Sequence, residues 1–462
     1  MSYYKINENI VIRREYFGGA VFNVSYFRNN SYFITDTETI DVLRGIEGGL
    51  SIQEINEMLK ELFDRNMATT IEEIIEESLR EGIISETDEK PKVSFSKEKF
   101  LEERKRVIGL KRLSAPILIS IDLTFKCNQH CTFCYEPPDW RYTYKDRMGI
   151  EEWKRVIDEA VEMRVPMLDI FGGEPFIFPN AMNLVEYINT KPINFIISTN
   201  GTLINEKIAR QLSTLDKQKA YVGVSLEGLN AEQHDSATKL KGAFNKVTQT
   251  IKLLKMYNVN FGINTVVTRR NIDHLEEMYE MLSDLGVPQF TMSYFHAEYP
   301  YLYEINSEIS PEEFYKATER IIKLNEQEGD KMRISREGPF LWFFKGSEPP
   351  KDPIGIAFSE CQVGKSRLEI LPDGSVVPCV LLAGKEKYLL DKFLESNLED
   401  IWYGEKMDMM DKLIPLNVEP CNSCKYKEAC KGGCIGYMLN RFNKEGYPDM
   451  RCPIVRASSY KN

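Results

Sequence analysis

The run Leu123-Thr124-Phe125-Lys126-Cys127-Asn128-Gln129-His130-Cys131-Thr132-Phe133-Cys134-Tyr135 decides how this chain is read. Its cysteines follow the spacing C-x3-C-x2-C, and the next cysteine is Cys361. Three thiolates on so short a loop suit a cubane iron–sulfur cluster with one iron left without a protein ligand. That corner is a place for a small molecule to chelate and receive an electron. A structural zinc site wants four closing ligands, usually in CxxC pairs, and the nearest histidine, His130, lies inside the loop itself. A disulfide framework does not suit a chain this long without a secretion signal.

The chain has 462 residues, 42% of them apolar, enough for about two to four domains with real cores. Its apolar stretches fall far short of the ~20 residues that cross a bilayer, so no membrane partner is expected. The start, Met1-Ser2-Tyr3-Tyr4-Lys5-Ile6-Asn7-Glu8-Asn9, lacks a basic segment followed by an apolar run, and a cytoplasmic location is expected. The net charge of −11 repels phosphate backbones, which argues against nucleic acid. All 10 cysteines fall into two patterned groups, near residue 130 and after residue 360, a distribution that in a reducing compartment reads as metal ligation.

In the first ninety residues, Ile10–Glu15, Ala20–Tyr26 and Ser31–Thr35 are short, β-branched and aromatic, with turn residues between them. They predict a three-stranded antiparallel meander. Thr37 is expected to cap a helix running to Gly48. Ser51 with Glu54 forms a capping box for a second helix to about Asp64, and Thr70 with Glu73 predicts the same for a third ending near Gly82. This is a winged-helix-like α+β unit, but residues 1–90 carry 9 Lys/Arg against 18 Asp/Glu, so DNA is a poor partner. The unit resembles the PqqD-like peptide-recognition domains fused to peptide maturases. That resemblance implies that the leader of a precursor peptide adds a strand beside Tyr32, Phe33, Ile34 and Thr35 and lies against Ile71, Ile75 and Leu79 of the third helix. A polar, proline-marked linker follows at 86–99, then a short helix at Glu102–Leu110.

From 115 onward short apolar strands alternate with amphipathic helices. Strands are predicted at Ile117–Leu123, Met167–Phe171, Asn194–Ser198, Ala220–Leu226, Phe261–Val267 and Phe290–Tyr294. Helices are predicted near 149–163, 179–190, 205–215, 243–257 and 271–285. The repetition argues for an α/β fold with a parallel sheet. Six units are too few to close an eight-stranded barrel, so a partial (β/α)6 barrel is expected, with its chemistry at the C-terminal strand ends. The expected domains are 1–87, a linker and bridging helix at 88–114, a barrel at 115–335, and a cysteine-bearing domain at 336–462.

The C-x3-C-x2-C loop with an aromatic before its third cysteine, followed by Phe171-Gly172-Gly173-Glu174-Pro175, resembles the radical S-adenosylmethionine (radical SAM) family. The resemblance implies a 4Fe–4S cluster on Cys127, Cys131 and Cys134 whose open iron binds S-adenosyl-L-methionine, yielding a 5′-deoxyadenosyl radical. It also implies cofactor contacts at Gly172, Gly173, Glu174 and Pro175, at Ser198 and Asn200, at Ser225 and Glu227, and at Asn264. Relatives often read His-Asp-x-x-Arg, whereas here the run is His234-Asp235-Ser236-Ala237-Thr238, leaving Lys239 or Lys241 as stand-ins for the arginine.

Near the C-terminus, Cys361-x12-Gly374-x4-Cys379 and Cys421-x2-Cys424-x5-Cys430-x3-Cys434-x17-Cys452 resemble the SPASM extension of radical SAM enzymes at every spacing. The resemblance implies two auxiliary 4Fe–4S clusters, three in all. One is held by Cys361, Cys379 and Cys434, with a free iron unless a non-cysteine residue fills that position, the other by Cys421, Cys424, Cys430 and Cys452. Sulfatase-maturing relatives place an Asp after the second of these cysteines; here that residue is Val380, which argues against aldehyde formation. Phe340-Leu341-Trp342-Phe343-Phe344 reads as core or a bridging helix, and Pro137–Tyr142 reads equally as a cofactor lid or a rigid loop.

The three parts together resemble maturases that form thioether crosslinks in ribosomally made peptides, of the sactipeptide or ranthipeptide type. The implied partners are a precursor peptide with a leader and a cysteine-containing core, and an electron donor such as flavodoxin or ferredoxin. Carbon–carbon crosslinking or backbone excision on the same scaffold is the nearer alternative. A non-catalytic iron–sulfur regulator is the alternative from another class.

Overall fold

Along the strand before the cysteine loop, fully buried Ile119 and Ile121 join the core under the helices, while Ser120 and Asp122 take the opposite face. The computed structural model describes residues 3–25, 32–89, 91–110, 112–136, 140, 145–296, 308–348, 350–358, 361–410, 413–414 and 417–459. The N-terminal strands are β1 (Tyr3–Ile6), β2 (Ile10–Glu15), β3 (Gly18–Asn23), β4 (Tyr32–Thr35) and β5 (Ile84–Thr87). The barrel strands are β6 (Leu118–Asp122), β7 (Met167–Phe171), β8 (Asn194–Thr199), β9 (Ala220–Ser225), β10 (Phe261–Val267), β11 (Gln289–Tyr294) and β12 (Arg333–Glu337). Then come β13 (Arg367–Ile370), β14 (Ser375–Val377) and β15 (Asp391–Lys392).

Strands β6 to β12 run parallel in sequence order, as the alternation of strands and helices predicts. Two features go beyond the prediction. A seventh parallel strand, β12, follows the unforeseen helix Pro311–Gln327 and spans residue 335, the expected end of the barrel. On the other edge β13 pairs parallel with β6, and β14 and β15 extend it antiparallel, so the cysteine-rich region continues the barrel sheet. The helix Ala231–Thr238 was also not predicted.

The N-terminal meander forms in the order β2-β3-β4, leaving one side of β4 as an edge. Its helices are α1 (Thr37–Glu47), α2 (Ile52–Phe63) and α3 (Ala68–Arg80), followed by α4 (Lys97–Val107). Three local expectations are corrected. Asp36, not Thr37, caps α1, accepting from the backbone of Thr39 at 2.7 Å. Helix α3 starts before Thr70, at Met67 without a side-chain cap, because Met67 buries its side chain in the core instead. Helix α4 begins at Ser96, whose hydroxyl accepts from Lys99, several residues earlier than expected. The capping box of Ser51 and Glu54 is present. Strand β1 pairs with β5, a closure of 84 residues between Tyr3 and Thr87 that no local signal announces.

Charged residues fasten this domain to the barrel. Fully buried Asp41 pairs with Arg14 and, at 2.7 Å, with Arg104 of α4. Glu103 of α4 takes Arg44 at 2.6 Å, and Glu47 takes Arg164 from beyond the first barrel helix at 2.7 Å. Arg13 donates to the carbonyl of Pro116 and Glu15 accepts the amide of Ser114, just ahead of β6. Burial pushes the Asp41 carboxyl up while Arg14 and Arg104 pull it back. Asp41→Ala strands two cations in a buried place and is expected to cost about 3 kcal/mol. An unchanged denaturant midpoint would show that the network does not hold the junction.

Candidate functional site

The first cysteine loop leaves β6 and is held from two sides by backbone. The amide of Gly173 donates to Thr124 O at 2.7 Å and that of Glu174 to Lys126 O at 3.0 Å. A Cβ on Gly172 would lie 2.4 Å from Thr124 O, and one on Gly173 would lie 2.6 Å from the carbonyls of Phe125 and Lys126. The glycines therefore serve a close approach between this turn and the cysteine loop. From the other side, His130 and Thr132 donate their amides to Thr238 O and Ala237 O at the end of helix Ala231–Thr238. The hydroxyl of Thr238 closes on His234 O, and Lys239 and Lys241 stay exposed at this helix end.

The other predicted cofactor residues divide by role. Glu174 is fully buried and accepts from Thr199 Oγ1 (2.7 Å), Asn200 N (2.8 Å) and Phe176 N (3.2 Å). Burial raises its carboxyl to about 7. Its side chain braces β7 against β8, with Pro175 buried beside it. The side chain of Asn200 reaches Cys127 Sγ at 3.8 Å and Asn128 Oδ1 at 2.9 Å, placing it on the sulfur loop. Ser198 and Ser225 are half-buried at the C-terminal ends of β8 and β9, and Ser225 stands beside Asn264 in register.

A cavity of about 400 Å³ opens between the first cysteine loop and the ends of β9 and β10, lined by Phe133, Glu227, Gln233, Arg270 and Asn271, while Ser198, Asn200, Ser225 and Asn264 are not in its wall. This is within the size of small-ligand sites. Burial raises the Glu227 carboxyl to about 8, while its bond from Val266 N at 2.9 Å pulls the other way. A carboxyl that stays neutral at pH 7 can donate as well as accept, as ribose hydroxyls require. Asn264 Oδ1 is buried without a hydrogen-bond partner, an acceptor left for a ligand. Sequence reasoning passed over Arg270, which carries no spacing signal, although it is a cation at this cavity where Thr238 is not.

The C-terminal cysteines gather in the two predicted sets. Cys421, Cys424, Cys430 and Cys452 line one apolar hollow walled by Phe340, Trp342 and Phe343. The Trp342 ring lies 4.2 Å from that of Tyr426, so the aromatic run forms this wall. The charges of Cys361, Cys379 and Cys434 bear on one another. Burial raises the Cys379 thiol to about 12 and that of Cys421 to about 11, and lifts Cys434 well above its ordinary value. None of the ten cysteines is in a disulfide. Buried thiols with such values ionise only where a cation shares the site, and this donor set fits iron–sulfur ligation. Val380 packs with Phe125 and Trp140 in an apolar cluster. Trp140 is buried there, 5.1 Å from Phe125, so it is core and not a lid; the neighbouring residues 137–139 and 141–144 lie outside the described residues.

The predicted peptide contacts on α3 are corrected. Ile71 and Ile75 are buried in the N-terminal core and Leu79 packs half-buried against it, so these side chains hold the helix in place. On β4, in contrast, Phe33 and Ile34 are 39% and 38% exposed.

Two comparisons of sequence and one of structure bear on this site. Residues 121–282 match the radical SAM superfamily, and residues 361–425 match SPASM, an iron–sulfur cluster-binding domain. The antilisterial bacteriocin subtilosin biosynthesis protein AlbA of Bacillus subtilis is 26% identical over 344 residues, 73% of this chain and 71% of that one. An AdoMet-dependent heme synthase of Methanosarcina barkeri is 25% identical over 330 residues, 69% of this chain and 91% of that one. The crystal structure of Streptococcus suis SuiB bound to precursor peptide SuiA superimposes with a TM-score of 0.83 at 19% identity, covering 97% of this chain and 100% of that one. The fold is therefore shared over nearly the whole length. A radical SAM domain and a SPASM domain are both present, and with them the need for S-adenosylmethionine and iron–sulfur clusters.

Two outcomes follow from this geometry. Gly173→Val should displace the cysteine loop and cost about four of about twelve irons per reconstituted chain; full iron content would contradict it. Asp122 is fully buried, and its pKa is raised well above normal by burial and then by Glu369 and Glu136. A raised carboxyl stabilises the fold at acid pH and loses that contribution as pH climbs through its folded value. Asp122→Asn should therefore gain stability relative to the parent as pH rises above about 4. Parallel pH profiles of the two proteins would refute this.

Proposed function

We propose that this radical SAM/SPASM enzyme forms Cys sulfur-to-carbon thioether crosslinks in a ribosomally synthesised precursor peptide. The observation that carries a peptide substrate is the edge of β4, which presents Phe33 and Ile34 to solvent from a domain clamped to the barrel. A leader strand pairing there gains backbone hydrogen bonds and two apolar contacts, with Tyr32 and Thr35 at the ends of the strand. The acidic balance of residues 1–87 suits a peptide better than a nucleic acid. Two relatives support the reading: one named for subtilosin biosynthesis, and one crystallised with a precursor peptide. No helix among the described residues is long and apolar enough to cross a membrane.

Three 4Fe–4S clusters and S-adenosylmethionine, with an electron donor of the flavodoxin or ferredoxin kind, would supply a carbon-centred radical and acceptors for the electron released when the S–C bond forms. Cys127, Cys131 and Cys134 would hold the first cluster, Cys361, Cys379 and Cys434 the second, and Cys421, Cys424, Cys430 and Cys452 the third. The chain's own residues then have defined tasks. Gly172, Gly173 and Glu174 fix the turn that holds the first loop, and Asn200 orients Cys127. Ser198, Ser225, Glu227 and Asn264 offer polar atoms to the nucleoside. Three thiolates at the second cluster would leave a position for a substrate thiol.

The test is incubation of the reduced holoenzyme with a synthetic copy of the peptide encoded beside its gene. Each link should remove two hydrogens and one alkylatable thiol. Phe33→Asp should lower the yield about tenfold at limiting peptide, about 1.4 kcal/mol of leader binding, while peptide-independent 5′-deoxyadenosine formation is kept. Hydrogen loss with every thiol still alkylatable would replace the thioether by a carbon–carbon link.

A further inference from the structure

Between Cys434 and the end of β11 lies a charged group that the function above does not use. Arg451 is 5% exposed and Asp449 fully buried. The guanidinium grips Asp449 with a fork, Nε to Oδ1 at 2.9 Å and Nη2 to Oδ2 at 2.6 Å. Asp449 Oδ2 also accepts the amide of Cys434 at 3.0 Å. The site is built for this approach, since a Cβ on Gly433 would lie 2.3 Å from Asp449 Cβ. Arg451 stacks 3.6 Å over the ring of Tyr437, whose hydroxyl donates to Glu308 at 3.1 Å. Its Nη1 meets His296 Nδ1 at 2.6 Å, two residues past the C-terminal end of β11.

A guanidinium cannot accept a hydrogen bond, so His296 Nδ1 must be the acceptor and the ring proton sits on Nε2. The imidazole is thereby kept neutral. One fixed positive and one fixed negative charge then stand beside Cys434 in a buried setting, where each acts at close range with little screening.

We propose that Arg451 and Asp449 set the reduction potential of the cluster held by Cys361, Cys379 and Cys434, Arg451 raising it and Asp449 lowering it. The inference rests on the assignment of that cluster. A reduced cluster carries one more negative charge, so an adjacent cation stabilises it and an adjacent anion destabilises it. Both are positioning residues, since they act through Cys434 and touch no reacting atom.

The experiment is a potentiometric titration of the anaerobically reconstituted holoenzyme followed by electron paramagnetic resonance. Arg451→Met should shift one auxiliary midpoint downward and Asp449→Asn should shift the same one upward. Arg451→Lys should restore the parent value, and His296→Gln, which removes no charge, should leave it in place. The midpoint of the cluster on Cys127, Cys131 and Cys134 should stay where it is, and that of the cluster on Cys421, Cys424, Cys430 and Cys452, whose Cys452 donates its amide to Asp449 O at 3.0 Å, should move less. A shift in the same direction for Arg451→Met and Asp449→Asn, or no shift in either, overturns the proposal. Should Arg451→Met fail to hold its clusters, the Asp449→Asn titration decides alone, a rise supporting and anything else refuting. Absence of auxiliary signals from the parent protein would instead refute the cluster assignment.

Discussion

Burial of thiols against their own ionisation is the constraint on which the rest of the structure depends. Cys379, Cys421, Cys434 and Cys452 all lie where desolvation favours the neutral thiol. A protein gains nothing by gathering such groups unless a metal supplies the missing charge, in which case metal binding and folding become one free energy. The aromatic wall of Phe340, Trp342 and Phe343 makes sense in this light, because it keeps water from one sulfur-lined hollow. The pairing of β13 with β6 sets the segment between Cys361 and Cys379 beside the strand that leads into the first cysteine loop.

The first cysteine loop meets the same demand by different means. Its surroundings are backbone carbonyls and amides from the Gly172-Gly173 turn and from the end of helix Ala231–Thr238. Backbone contacts fix the loop through the amides of Gly173, Glu174, His130 and Thr132. Buried carboxyls then surround it, with Glu174 bracing the turn, Glu227 facing the cavity and Asp122 under the loop. Burial raises the pKa of each of the three.

What the sequence revealed depended on how local the signal was. The cysteine spacings and the six central strands are short-range patterns, and the structure places them within a residue or two. The β1–β5 pair was hidden because its partners are 84 residues apart and four residues each. Asp36 and Thr37 are both good caps, and only geometry decides between them. Ile71, Ile75 and Leu79 have the helical spacing of one apolar face, and that face turned out to be the domain's own core. Arg270, Arg451 and His296 have no motif at all; their roles exist only once distant elements meet.

The measurement that tests the central claim most directly is metal analysis with Mössbauer spectroscopy on anaerobically reconstituted protein. The account predicts about twelve irons per chain, all in cubane clusters, and one cluster whose spectrum changes when S-adenosylmethionine is added. Zinc in place of iron, or iron that never assembles on Cys127, Cys131 and Cys134, would contradict it.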